Sequence, residues 1–337
     1  MSIDLSRVTG ISDSRGVITE IKDSAGRVIW SAVRKKPAVL EVVKTAVSSS
    51  SGEASYTDES VILLDIYPAK NATVKVTYGG LTKTVKDTSG ADEPNALQVY
   101  FGTFQGVSDS VTTPESGTLT IEGNYRGFGV GSYTTQKSTT GHCSCITAVT
   151  DFGNPDFIPN YALYACAALT TANLPSGIAS IGAHAFDDCT ALTTVNMQSG
   201  LTIIGESAFE NCKALISIIL PDGLLRIERY AFYICYALDH VYIPASVTFL
   251  GANSLLCHNS TGDTSGILDG NYYFHSKTPP ECEYVALTDG ATPTGPFGTY
   301  RESMNIDIWV PVGYASAYKA ASGWVEWSNR IQEKEGL

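Results

Sequence analysis

The chain has 337 residues, of which 43% are hydrophobic, 17% are charged and 31 are glycine. This balance excludes a disordered chain and predicts mainly β structure in about two or three domains. The 22 basic and 34 acidic residues give a net charge of −12, which argues against nucleic acid or an anionic lipid surface as a partner.

Residues 1–36 are predicted to form an attachment segment made of two tandem β-hairpins. The sequence ISDSRGVI at 11–18 recurs as IKDSAGRV at 21–28, and the Asp and Gly of each copy favour a tight turn. A sheet this small is marginal alone, so we expect it, with Trp30 at its end, to dock onto another domain or subunit. The segment resembles short N-terminal pieces of tail and other virion proteins of phages and prophages.

Residues 37–140 are predicted to form an Ig-like β-sandwich. Alternating runs such as VILLDIY, ATVKVTY and LQVYF indicate about seven or eight strands, and Gly79 and Gly80 indicate a two-residue hairpin. The sequence leaves the order of these strands open. The stretch KSTTGHCSC at 137–145 marks the expected boundary with the next domain.

A 23-residue repeat occupies the chain after this boundary. Its unit reads I-G-x-x-A-F-x-x-C-x-x-L-x-x-V-x-L-P, and prolines end the strand at Pro175, Pro221 and Pro244. One unit cannot bury its own apolar face, so we expect the units to stack into a solenoid with cysteine as a small apolar filler. Five columns keep the same step: Ile158, Ile181, Ile204 and Ile227; Ala162, Ala185, Ala208 and Ala231; Phe186, Phe209 and Phe232; Cys166, Cys189, Cys212 and Cys235; Leu169, Leu192, Leu215 and Leu238.

The outer units depart from the pattern, as the caps of a solenoid do. Leu163 stands where Phe is expected, and His258 stands in the cysteine column. A short helix and an aromatic plug are predicted to close the open end, at Tyr314, Tyr318, Ala321, Trp324 and Trp327. The predicted solenoid domain with its C-terminal cap therefore spans residues 141–337.

Residues 158 to about 331 resemble the BspA-type leucine-rich repeat family. The resemblance rests on the 23-residue unit and on three later elements: Thr278, Pro279 and Pro280; Pro296 and Phe297; Val310, Pro311, Tyr318 and Trp324. It implies a leucine-rich solenoid and a role in adhesion or protein binding. Members of this family are usually exported, whereas no leader is found here.

Metal and catalytic sites are weakly indicated. His142, Cys143 and Cys145 form a His/Cys cluster, but zinc sites prefer two or more residues between ligand cysteines, so we interpret it as a boundary loop. The sequence contains no nucleophile elbow, H-E-x-x-H or Walker motif. We therefore predict no metal, no cofactor and no enzymatic activity.

The eight cysteines are too sparse for a disulfide scaffold. A chain made in the cytosol is expected to keep them reduced. The sequence also lacks any stretch of 18 apolar residues, so no membrane insertion is expected.

Each repeat strand is predicted to point its flanking residues outward, because side chains alternate between the faces of a strand. Stacked strands would present these residues as one ribbon, which is either a solvated sheet face or a binding surface. Ile219, His240 and Tyr242 favour binding, since interfaces are enriched in apolar and aromatic side chains. The ribbon consists of two columns: Thr171, Thr194, Ser217 and His240; Asn173, Asn196, Ile219 and Tyr242.

Together these features predict a non-enzymatic binding protein. The first interpretation is a phage or prophage virion component, a tail or head appendage assembled in the host cytoplasm. It would hold other virion subunits through its N-terminus and contact a protein or glycan on the bacterial surface. The alternative is a BspA-like adhesin of the bacterial cell surface whose export signal lies outside this sequence. The sequence leaves open the ligand, the host and the oligomeric state, including whether copies of the chain associate.

Overall fold

A computed structural model describes residues 20–22, 28–31, 37–43, 62–101 except 90 and 92–95, 103–104, 107–108, 116–130, 146–257 except 154 and 156, 269–283, 295–297 and 305–337. Strands dominate these residues, which confirms the prediction of a mainly β chain. Among them, no helix has the length and apolar character needed to cross a membrane. The chain divides into two compact units, Met1–Lys36 and Pro37–Leu337.

The first unit contains one described hairpin. Strand β1 (Glu20–Lys22) pairs antiparallel with β2 (Val28–Ser31), with Ile21 opposite Trp30. This is the second of the two predicted hairpins. The first, at 11–18, lies outside the described residues, and so do the side chains of this unit.

The second unit begins with antiparallel strands arranged in two main sheets. One sheet contains the order β3-β10-β5-β6 and the other the order β11-β4-β7. The Tyr78 ring contacts the Phe101 ring at 6.0 Å, so the two sheets share one core. The strands are β3 (Ala38–Val43), β4 (Ile62–Pro68), β5 (Thr73–Tyr78), β6 (Leu81–Lys86), β7 (Leu97–Phe101), β8 (Thr103–Phe104), β9 (Val107–Ser108), β10 (Ser116–Gly123) and β11 (Tyr125–Val130).

The predicted hairpin at Gly79 and Gly80 is present. Tyr78 pairs with Leu81, and the two glycines between them have φ values of 60° and 80°. Two consecutive positive φ angles are the conformation of a two-residue hairpin turn, which glycine adopts without steric cost. The Ig-like assignment of this region and the domain boundaries stay predictions.

The main sheet continues from this region into the repeats. Strand β12 (Ile146–Asp151) pairs antiparallel with β3 on one side and parallel with β13 (Thr171–Asn173) on the other. The sheet therefore runs through the expected boundary near residue 140 without a break in pairing. Its twelve strands have the order β24-β23-β21-β19-β17-β15-β13-β12-β3-β10-β5-β6.

Each repeat contributes one strand to this main sheet and one to a second, five-stranded sheet of order β14-β16-β18-β20-β22. Pairing joins residues one repeat apart, for example Val195 with Ile218 and Ile204 with Ile227. The repeat strands are β14 (Ser180–Ile181), β15 (Thr194–Asn196), β16 (Ile203–Ile204), β17 (Ser217–Ile219), β18 (Arg226–Ile227), β19 (His240–Ile243) and β20 (Phe249–Leu250).

The predicted phenylalanine and cysteine columns lie in the core of the stacked repeats. Phe209 is fully buried and stacks on Phe186 at 5.1 Å and on Phe232 at 5.5 Å, with ring planes 5° apart. Three of these cysteines are more than apolar filler, because the thiols of Cys189, Cys212 and Cys235 each donate a hydrogen bond to a main-chain carbonyl of the preceding repeat. The Sγ of Cys212, for example, lies 3.2 Å from the carbonyl oxygen of Phe186.

Two expectations about cysteine require correction. Cys257, rather than His258, continues the buried cysteine column, because the last unit is one residue shorter at this point. Cys166 at the start of the column is disulfide-bonded, so the expectation that all eight cysteines stay reduced is wrong. His258 itself lies outside the described residues.

Beyond the last regular repeat, the chain adds three more parallel strands to the main sheet. The irregular intervening segments hide them from a search for a fixed period, which is why the sequence predicts only a loose stretch and a cap. The elements are β21 (Asp269–Phe274), β22 (Glu281–Cys282, in the second sheet), β23 (Asn305–Pro311), α1 (Ala315–Ala320), a 3-10 turn (Val325–Trp327) and β24 (Ile331–Lys334).

The predicted C-terminal aromatic residues pack together at this end. Tyr318, Trp324 and Trp327 are fully buried, and Tyr318 and Trp324 meet edge to face at 4.9 Å. The Trp324 indole donates a hydrogen bond to the carbonyl of Pro280 at 2.9 Å, and the Tyr318 hydroxyl donates one to the carbonyl of Ser276. The helix and the 3-10 turn therefore cover the apolar end of the core.

Replacement of Phe209 by Ala is expected to reduce the free energy of unfolding by about 3–5 kcal/mol, because the stack would lose its central ring and leave a cavity. Denaturant unfolding followed by circular dichroism measures this loss. The matched control is Ile216→Ala, since Ile216 is 64% exposed and its replacement should cost little. Equal losses for the two variants would contradict the buried stack.

The thiols of Cys212, Cys235 and Cys257 are expected to resist alkylation in the folded chain at neutral pH. Burial raises the pKa of Cys212 and Cys235 well above the usual range and raises the pKa of Cys257 to about 12. The reactive thiolate is therefore scarce as well as inaccessible. Iodoacetamide labelling with and without guanidinium chloride, read residue by residue by mass spectrometry, tests this prediction. Fast labelling of these three cysteines in the native chain would refute it.

Candidate binding face

The predicted ribbon is a continuous strip on β13, β15, β17 and β19. Parallel pairing places Thr171 beside Thr194 and then Ser217, and it places Ile219 beside Tyr242. Six of its eight residues are exposed, while Thr171 and Asn173 are half-buried. The ribbon consists of Thr171, Thr194, Ser217, His240, Asn173, Asn196, Ile219 and Tyr242.

Strand alternation produces this face. The central residue of each strand is buried in the repeat core, and the residues on both sides of it must then point away from the core. The buried central residues are Ala172, Val195, Ile218 and Val241. The ribbon side chains are thus oriented by a packed core beneath them.

One end of the ribbon is polar and is tied together by asparagine. The Asn196 amide donates to the Asn173 side-chain oxygen at 2.5 Å, and the Asn173 amide reaches the carbonyl of Thr150 at 3.4 Å. These bonds fix the side chains in register along the strands. They also use hydrogen-bonding groups that a ligand would otherwise meet.

The other end of the ribbon is apolar and aromatic. Ile219 is 80% exposed and Tyr242 is 50% exposed on the adjacent strand. Full exposure of a large aliphatic side chain forfeits the ~1.5–3 kcal/mol that its burial would contribute. Ile219 and Tyr242 are therefore the part of the ribbon whose burial against a partner would contribute the most free energy.

Sequence reasoning missed the continuation of this aromatic end. Tyr242 stacks on Tyr273 of β21 at 4.7 Å, and Tyr273 is followed by Trp309 of β23 at 6.4 Å with ring planes 10° apart. The alternation within GNYYF and IDIWV carries the signal, although neither segment keeps the 23-residue step. Tyr273 is only 6% exposed and Trp309 is half-buried, so Tyr242 is the most exposed ring of this ladder.

Charged and polar groups border the aromatic ladder. The Lys334 ammonium lies 4.5 Å from the Tyr273 ring centre, and the Trp309 indole donates to the Asn271 side chain at 3.2 Å. His240 lies 2.9 Å from the Asp239 carboxylate, with both side chains about half exposed. Burial, with the charge of Tyr242 as a smaller cause, raises the pKa of Tyr273. The ladder thus has a mixed polar rim.

A second group of side chains lies on the turn segments of two consecutive repeats. Ligand atoms of His184, Asp187 and Glu210 all lie within 4.8 Å of one another, and this is the set of described His, Cys, Asp and Glu residues with a geometry suited to a metal ion. The His184 Nδ1 lies 2.9 Å from an Asp187 oxygen. The hydrogen bond that the His184 ring donates to the Asp187 carboxylate raises the pKa of His184, and burial raises the pKa of Asp187.

The remaining predicted site residues lie beyond the described part of the chain. The cluster of His142, Cys143 and Cys145 is outside it, and so is the side chain of Trp30, whose main chain is in β2. The metal, attachment and binding assignments of the sequence therefore stay predictions.

Comparison with known proteins identifies the repeats. The family model described as a BspA type leucine rich repeat region matches residues 156–262 in six copies. A comparison with curated proteins gives no match.

Solved structures with similarity include three bacterial proteins. The leucine-rich repeat protein TpLRR of T. pallidum is 27% identical, with 44% of this chain and 64% of that chain covered and a TM-score of 0.34. A leucine-rich repeat protein from Eubacterium ventriosum is also 27% identical, with 33% of each chain covered and a TM-score of 0.28. A leucine rich cell surface protein from Faecalibacterium prausnitzii is 24% identical, with 41% and 42% covered and a TM-score of 0.29.

All three TM-scores are low, and this chain spans less than two thirds of the length of each of these proteins. The family match is independent of them and agrees with the 23-residue unit, the parallel pairing one repeat apart and the buried columns. Residues 156–262 of this chain are therefore a BspA-type leucine-rich repeat region.

Proposed function

We propose that this chain is a non-enzymatic adhesin of the bacterial cell surface that binds a partner through the apolar end of the ribbon. The observation that carries the proposal is the pair Ile219 and Tyr242, which are adjacent, exposed and held on rigid strands. Exposed apolar and aromatic side chains with a polar border are typical of protein interfaces. The leucine-rich repeat region supports the same class of function.

The disulfide at Cys166 favours an exported protein over a cytosolic one. Disulfides persist in oxidising compartments and at cell surfaces, whereas cytosolic thiols are kept reduced. The surface interpretation therefore accounts for a covalent feature that the cytosolic assembly of a virion protein leaves unexplained.

The virion interpretation has little support beyond the N-terminal segment. It rests on a resemblance over about 30 residues, and neither the family match nor the similar structures extend it. We therefore place the adhesin ahead of the virion appendage.

A protein partner fits the ribbon better than a glycan does. Sugar sites usually present open aromatic faces, yet the Tyr273 ring is covered and Tyr242 is the exposed aromatic residue of the ribbon itself. Ile219 offers aliphatic area, which suits an apolar side chain of a partner. The polar rim would then fix the orientation of the complex.

Replacement of both Ile219 and Tyr242 by Ala is expected to weaken binding about tenfold or more, as removal of a central apolar contact does in other interfaces. The assay measures binding of the fluorescently labelled full chain to intact bacterial cells by flow cytometry. The melting temperature should change little because both side chains are exposed.

The matched control is Val325→Ala, since Val325 is 56% exposed and lies outside the ribbon. It should bind like the unmodified chain. Unchanged binding by the double variant would remove the ribbon from the proposal.

Cellular location tests the other half of the proposal. Antibody labelling of intact producing cells, with brief protease treatment to release exposed protein, should detect the chain on the outside. Recovery with purified phage particles, and not with the cell envelope, would favour the virion interpretation instead.

A further inference from the structure

We propose that His184, Asp187 and Glu210 form a binding site for a divalent transition-metal ion of the zinc class. One imidazole nitrogen and two carboxylate oxygens are a donor set that zinc accepts, with the remaining position left to water or to a partner's group. The inference is independent of the ribbon, because the three residues lie in the turn segments between the strands of the two sheets.

The repeat itself brings the three residues together. Asp187 and Glu210 are one repeat apart and therefore occupy equivalent places on neighbouring rungs, while His184 is three residues before Asp187. A main-chain hydrogen bond from the Asp188 amide to the Glu210 carbonyl, 3.0 Å long, fixes the two rungs at this point. The donor set is thus built on paired backbone.

The histidine ring is positioned by one ring stack and one hydrogen bond. The backbone of His184 has a φ of 55°, a left-handed conformation that recurs at the equivalent position of each repeat. The ring stacks on Tyr161 of the preceding repeat at 4.7 Å with planes 5° apart. Because the imidazole is held in this way, its Nδ1 faces Asp187 at 2.9 Å.

The distances suit a single ion. In a tetrahedral site, zinc–ligand bonds of about 2.0–2.2 Å place two donor atoms roughly 3.4 Å apart. The His184 and Asp187 donor atoms are 2.9 Å apart, and all three donor atoms lie within 4.8 Å of one another. Binding of one ion would therefore draw the Glu210 carboxylate toward the other two donors.

The local charge also favours a cation. The carboxylate oxygens of Asp187 and Glu210 lie within 4.8 Å of each other. A divalent ion between them would offset the repulsion of these two like charges. A hydrogen bond from Ser207 already orients Glu210.

A second histidine of the same chain provides the comparison. His240 and Asp239 have the same 2.9 Å separation, but they are about half exposed and belong to no three-residue group among the described residues. A histidine–aspartate hydrogen bond forms between two residues and does not require a third metal-binding side chain nearby. The presence of Glu210 beside His184 is what distinguishes the proposed site.

Titration of the EDTA-treated full chain with zinc chloride by isothermal calorimetry tests the proposal. One zinc ion per chain should bind to this site. The variants His184→Ala and Glu210→Gln should each lower the zinc affinity by about 100-fold or abolish binding. His240→Ala should bind zinc like the unmodified chain. Zinc in large excess over its Kd should raise the melting temperature of the unmodified chain by about 5 °C but not that of His184→Ala.

Substitution with Co²⁺ distinguishes this site from one made by cysteine, including the cluster at 142–145. Cobalt bound to nitrogen and oxygen alone lacks the thiolate charge-transfer absorption. A thiolate band, or zinc binding that is equal in the unmodified chain and in His184→Ala, would overturn the proposal. Circular dichroism of Glu210→Gln confirms that a lost ion does not reflect a lost fold.

Discussion

The register between successive repeats is the constraint on which the rest of the structure depends. Each 23-residue unit supplies one short strand to each of two sheets, and strands of two or three residues have no stability of their own. Pairing aligns each residue with its equivalent one repeat away, so the phenylalanine rings stack and the thiols of Cys189, Cys212 and Cys235 reach carbonyls of the preceding unit. Strand pairing and core packing therefore enforce the same alignment, and neither would hold without the other.

The same alignment creates both surface features. An inward side chain at the centre of a short strand obliges its neighbours to face outward, which builds the ribbon around Ile219 and Tyr242. In the turn segments, equivalent places on adjacent units bring Asp187 and Glu210 side by side. The proposed binding face and the proposed metal site thus both arise from single substitutions within columns whose geometry the repeat has already fixed.

Much of this could be predicted from the sequence because a strict period needs no knowledge of long-range contacts. The buried columns and the outward residues follow from spacing and strand alternation alone. The strands carrying Tyr273 and Trp309 could not be found in that way, since their order depends on pairing across segments of unequal length. The thiol–carbonyl bonds and the disulfide at Cys166 likewise require positions of the backbone in space, which composition does not contain.

The two outermost strands of the main sheet, β6 and β24, carry a further consequence. A sheet that grows by identical parallel additions is open to endless self-association at its margins. Here the margins differ from the repeats and bear charge: Lys83 and Lys86 on β6, and Glu333 and Lys334 on β24. Charged side chains on edge strands disfavour the pairing of one molecule's sheet with the next.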